Sequence, residues 1–278
     1  NDVVRNLFGW FRAVGREFRT RRGRFLVTAL PMLWLLLFFA VPFLIVLKIS
    51  FAEAVFGQSP PYTPLVERTA DGAASLKLHA SSYALLLQDP LYVGAYLKSL
   101  LFASVSTLFC LLLGYPIAYG IARARPVWRM LLLVLVILPF WTSSLLRTYA
   151  MIGMLKANGL ISQALAAVGL VEPGSAILHT DLAVYIGIVY NYLPFMILPL
   201  TATLMRLDFK LLEAAADLGA RPWQAFLRVT LPLSMPGIIA GGLLVFIPAV
   251  GEFVIHDILG GPDALTIGRV LWTEFFTN

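Results

Sequence analysis

One carboxylate, Glu252, stands inside an apolar run from Gly237 to Ile255, and no other acid of the 278-residue sequence is placed that way. On insertion scales an acid at the centre of a membrane helix costs about 2.5–3.5 kcal/mol, so such a residue usually faces a cavity, a path or a partner. Trp141, Tyr190 and Tyr192 also lie in or beside apolar runs, and each ring can offer a cation a contact of about 0.5–2 kcal/mol. The plainer alternatives are a pair between Glu252 and His256 one helical turn later, and aromatics that anchor at an interface or pack.

A second constellation runs from Asp208 to Pro232 and is rich in signals for two short helices meeting at an elbow. Asp208 suits an N-cap, Leu211, Leu212 and Ala215 share a face, Gly219 suits the left-handed position after a helix, and Pro222 suits the first turn of the next. Three alanines, Ala214 to Ala216, let another surface approach the backbone closely, and Glu213 presents a charge to a basic partner. The chemistry is that of a docking surface.

The elements that must position these residues follow from composition. The chain is 59% hydrophobic and 13% charged, with a mean hydropathy of +0.83, well beyond a soluble domain. A hydrocarbon core of about 30 Å needs about 20 apolar residues per helix. Five runs are of that order: Phe25 to Leu47, Ser99 to Ile121, Met130 to Leu146, Leu182 to Met205 and Gly237 to Ile255. Continuous apolarity fits helices rather than barrel strands, so the fold class is an all-α integral membrane protein with five predicted spans. The third run contains Pro139 and is read as a full span, with a re-entrant segment as the alternative. The first exceeds the length of a signal peptide and is read as a retained anchor.

A cytoplasmic N-terminus puts 14 of the 21 Lys and Arg on the inner side, including the basic tail 1–24 and the loop 206–236, as the positive-inside rule requires. The domain organisation is then that tail followed by a membrane domain, 25–278, with an outer loop at 50–98. The outer loop and the outer segment from Arg147 to Asp181 either receive an extracytoplasmic partner or cap the spans. Five spans leave the C-terminus outside, and the aromatic stretch ending at Phe276 suggests a sixth span after Asn278.

Several chemistries are disfavoured. No Gly-x-x-x-x-Gly-Lys-Ser/Thr phosphate loop occurs, so ATP hydrolysis is not assigned to this chain. The single cysteine, Cys110, lies mid-span and reads as core. The basic pI of 9.6 reflects cations flanking the spans, so no nucleic acid is expected. His79 and His179 lack metal-ligand spacing and read as surface residues; no metal and no catalytic residue is expected.

The residues Glu213-Ala214-Ala215, Gly219 and Val229-x-Leu231-Pro232 resemble the EAA loop of ABC-importer permeases, with Val229 where isoleucine is commoner. The resemblance implies the type I importer permease fold, with a coupling helix that enters a groove on a separate cytoplasmic ATPase. Glu213, Ala214, Ala215, Gly219, Leu231 and Pro232 are the residues it assigns to ATPase coupling. Stretches Leu138 to Tyr149, Ile177 to Tyr190, and Phe246 to Ile255 with Leu259 to Pro262 resemble the polyamine branch, all but the first most closely the putrescine type, with His256 where proline is expected. The implied partners are a second homologous permease, two ATPase subunits holding ATP and Mg, and a periplasmic polyamine-binding protein, in the bacterial inner membrane. Glu252, Trp141, Tyr190 and Tyr192 stand as substrate-path candidates. The alternatives are an importer half for spermidine, ferric iron or an oxyanion, an ion-coupled secondary transporter, and a purely structural membrane subunit.

Overall fold

Backbone groups in lipid have no water to bond, so an apolar chain must close its hydrogen bonds within helices. The computed structural model, which describes residues 28–52, 66–68, 74–76, 81–208, 210–262 and 264–277, follows that rule. The basic tail 1–24 and His79 lie outside the described residues. In chain order the helices are α1 (Thr28–Ser50), α2 (Ser81–Gln88), α3 (Pro90–Arg123), α4 (Pro126–Ile137), α5 (Ser144–Leu155), α6 (Leu160–Ala167), α7 (Asp181–Leu204), α8 (Lys210–Asp217), α9 (Pro222–Val250), α10 (Val254–Leu259) and α11 (Ile267–Thr277). A short antiparallel strand pair, Val66–Arg68 with Ala74–Leu76, interrupts the helical pattern between α1 and α2.

Two units are distinct. The first, up to Gln88, holds α1, the strand pair and α2; the Ser50 and Tyr83 hydroxyls share a 2.8 Å hydrogen bond within it. The second, from Asp89, holds every other helix.

Helices α1, α3, α7 and α9 are long and apolar enough to cross a membrane. The expected third span differs: α4, a 3-10 turn at Leu138–Trp141 and α5 form a pair bent by 92°, a broken span or re-entrant loop. Pro139 sits in that turn, followed by Thr142-Ser143, so the backbone lacks the apolar run needed to continue straight. The fifth run is also shorter than read: α9 stops at Val250, and residues 251–253 separate it from α10.

Three helices, α3, α7 and α9, form the centre of the second unit. Their contact is built on small residues, which lets backbones approach where lipid supplies no hydrophobic drive. A Cβ added at Gly241 would lie 2.8 Å from the Met196 sulfur and 3.1 Å from its carbonyl oxygen; one at Gly237 would lie 2.7 Å from the Thr203 hydroxyl. Met196, Leu200, Leu204, Val245 and Cys110 are fully or almost fully enclosed in this seam. A second cluster, with Phe102, Met151, Ile188, Ile255 and Leu259, packs α5 and α10 onto α3 and α7.

Candidate functional site

The elbow between α7 and α9 is encoded residue by residue. An Asp208 carboxylate oxygen accepts from the Lys210 N–H at 3.0 Å, opening α8. Ala220 N–H donates to the Ala215 carbonyl at 3.0 Å and Gly219 N–H to the Ala216 carbonyl at 2.8 Å, the paired closure of a Schellman end. Gly219 takes φ +82°, where a side chain is disfavoured. The Gln224 side chain then accepts from Arg221 N–H at 2.9 Å, and Pro222 starts α9.

One face of α8 turns inward: Leu212 and Ala216, with Tyr119, Arg123, Pro222 and Phe226, surround a cavity of about 310 Å³. The other face presents Glu213, Ala214 and Gly219, while Ala215 is half-buried. Leu231 packs into the core cluster around Tyr115 instead of facing outward, and Pro232 is exposed just after a π-helical turn at Phe226–Thr230. Pro232 cannot donate to the carbonyl one turn back, which accounts for the loosened turn. Leu231 and Pro232 therefore shape the helix that carries the elbow. Sequence reasoning missed Leu218, an apolar side chain 90% exposed beside Gly219, although its place at the end of α8 was readable.

A cleft of about 570 Å³ lies where the bent α4–α5 pair, the middle of α7 and the break after α9 converge. Glu252 and Tyr192 share its wall. Tyr192 Oη donates to Glu252 Oε2 at 2.5 Å, and Glu252 Oε1 accepts from Ile255 N–H at 3.2 Å, fixing the start of α10. Glu252 is thus half-buried in a helix break and not within a continuous span. At 1.5 Å per residue, Tyr192 lies about 16 Å along α7 from Asp181, near the middle of that helix.

The other path candidates stand apart: Trp141 is 79% exposed and Tyr190 is exposed, and neither lines the cleft. Tyr190 and Tyr192 are two residues apart on a helix and point to different faces. The alternative pairing of Glu252 with His256 is also absent. His256 is enclosed with its ring edge-on to Phe102 at 4.9 Å, and it approaches the Glu252 backbone without completing a hydrogen bond of normal geometry.

Phe140, Phe195, Ser143, Ser144, Thr148 and Asn191 complete the useful part of the wall, and Arg147 joins them. Its guanidinium donates to the Pro139 carbonyl and sits 5.6 Å over the Phe140 ring, clasping the bend. No ion pair joins it to Glu252. His179 is exposed as expected, but its ring nitrogen lies 3.2 Å from the Gly260 carbonyl, tying the segment before α7 to the end of α10.

Residues 110–278 match the family described as the binding-protein-dependent transport system inner membrane component. The chain belongs to this family. The spermidine/putrescine transport system permease protein PotB of Haemophilus influenzae is 42% identical over 253 residues, 91% of this chain and 83% of that one. Its Escherichia coli K12 namesake is also 42% identical, over 87% of this chain and 82% of that one. Among solved structures, a bacterial alginate ABC transporter in complex with an alginate pentasaccharide-bound periplasmic protein superposes with a TM-score of 0.62, covering 93% of this chain and 85% of that one at 18% identity. The shared fold is thus the type I importer permease fold, and members of the family are transport components rather than enzymes. The relatives' names pair spermidine with putrescine, which supports the resemblance at the level of polyamine permeases.

Proposed function

We propose that this chain is one permease half of an ATP-driven importer that moves a polyamine, putrescine foremost, from periplasm to cytoplasm. The observation that carries the reading is the Glu252–Tyr192 pair in a cleft walled by Phe140 and Phe195. A carboxylate held by a phenol and a backbone N–H is fixed in place, while the rings add weak contacts to an alkylammonium. The similarity to chains named as spermidine/putrescine permeases supports the same cargo.

In this reading the exposed face of Glu213, Ala214, Leu218 and Gly219 enters a groove of one of two cytoplasmic ATPase subunits, which hold ATP and Mg. A second homologous permease completes the path, and a periplasmic polyamine-binding protein delivers the cargo. The N-terminus is cytoplasmic.

The test is ATP-dependent uptake of labelled putrescine and spermidine into proteoliposomes holding the full complex. Saturable uptake, reduced in Glu252→Gln, supports the reading; an assembled complex that transports neither cation defeats it. One observation favours a second reading: Arg147 places a fixed cation in the cleft wall, which would suit an oxyanion. Inhibition by molybdate or sulfate, with no response to diamines, would select that alternative.

A further inference from the structure

Asn191 is 6% exposed and sits mid-way along α7 in the wall of the cleft. Its amide is oriented by its own hydrogen bonds. The Nδ2 group donates to the Gly187 carbonyl at 3.0 Å and to the Thr148 hydroxyl at 3.4 Å. Thr148 can accept because it spends its own hydrogen on the Ser144 carbonyl at 2.9 Å. Both amide hydrogens are therefore committed, and exchanging oxygen with nitrogen would set Oδ1 against the carbonyl of Gly187.

What remains is Oδ1, an enclosed acceptor that meets no donor among the described residues. A buried polar atom without a partner is unfavourable and calls for a complementary group. That group must donate. Tyr192 does not, because its hydroxyl hydrogen goes to Glu252.

We propose that Asn191 is a specificity-determining residue whose Oδ1 accepts an N–H from a primary ammonium, beside the carboxylate of Glu252. The inference rests on the polyamine reading above and deepens it: the site distinguishes ammonium groups that carry N–H bonds from cations of equal charge that carry none. Oδ1 is enclosed in this conformation, so the contact forms as α5, which holds Asn191 through Thr148, shifts against α7. The bend before α5 makes such a shift feasible. Arg147 Nε is another buried polar atom of this wall without a partner, but it can only donate and cannot receive an ammonium.

The experiment compares putrescine with its bis-trimethylammonium analogue, which has the same charge and chain but no N–H. Uptake by the reconstituted complex gives the preference as a ratio of Vmax/KM. Wild type should favour putrescine at least tenfold, the factor expected for a hydrogen bond to a charged group. Asn191→Leu should reduce that ratio about tenfold, because the acceptor is then gone from the wall that also holds Glu252. If Asn191→Leu does not assemble, Asn191→Ala, which also removes Oδ1, serves instead and should reduce the ratio in the same way. An assembled Asn191→Leu complex with the wild-type ratio overturns the role of Asn191, since the analogue is then refused for its bulk. A wild-type complex importing neither diamine overturns the polyamine reading itself and the inference with it.

Discussion

A valine at Gly219 should leave the membrane helices intact and unsettle only the elbow. Gly219 has φ +82°, and a Cβ built there meets no atom within 4 Å, so the perturbation is conformational and not steric within this chain. Left-handed backbone costs an L-residue about 1–2 kcal/mol, and a β-branched residue pays more through its restricted χ1. If the backbone escapes that strain, the Schellman pair from Gly219 and Ala220 to Ala216 and Ala215 opens. A difference of that size depletes the docking-competent elbow about 5–30-fold. Asparagine tolerates the left-handed region, so Gly219→Asn should stay within a few-fold of wild type. The assay pairs ATPase copurification with the initial rate of ATP-dependent putrescine uptake. Normal uptake and assembly in Gly219→Val would refute the reasoning. An asparagine variant as damaged as the valine one would place the effect in bulk against the ATPase groove and not in φ.

Reversing the exposed charge with Glu213→Lys should lower ATPase copurification several-fold without lowering membrane insertion; unchanged copurification and transport would remove Glu213 from the contact. Tyr192→Phe deletes the donor to Glu252 Oε2 and should cost about 1.5–3 kcal/mol at that bond, read as an altered KM for putrescine with stable assembly; an unaltered uptake curve would show the bond to be incidental. Gly241→Val meets the Met196 carbonyl oxygen at 3.1 Å and should destabilise the seam by about 1–3 kcal/mol, seen as a lower melting temperature in detergent; wild-type melting would mean that α7 and α9 can separate freely.

The elbow was legible because its determinants are local. Asp208, Gly219 and Pro222 each act on backbone within a few residues, and the structure uses all three as read. The apolar runs at Ser99, Leu182 and Gly237 were legible for the same reason, since lipid imposes a length and a helix on each. The cleft was only half legible. Glu252 stood out as a lone acid, but its bond partner Tyr192 lies 60 residues away and no periodicity links them. Tyr190 and Tyr192 were both candidates by type, yet their spacing on one helix allows only one to face Glu252. Leu231 read as part of a docking motif, while in the structure it is half-buried and packs against the core cluster that contains Tyr115.

The two breaks in the helical pattern carry the functional argument. Irregular backbone at membrane depth is tolerated where it is buried in protein or lines a cavity, because exposed to lipid its N–H and C=O groups would go unbonded. The turn around Pro139 to Ser143 and the break at Gly251 to Phe253 are such segments, and both border the same cleft. Each is closed by a charged side chain: Arg147 donates to the Pro139 carbonyl on one side, and Glu252 accepts from Ile255 N–H on the other. The charges therefore satisfy broken backbone as well as facing the cleft. A ligand that draws on Glu252 competes with the cap of α10, and movement of the bend changes what Arg147 presents. In the proposed import reading, occupancy of the cleft and the geometry of these two breaks would be coupled at one place.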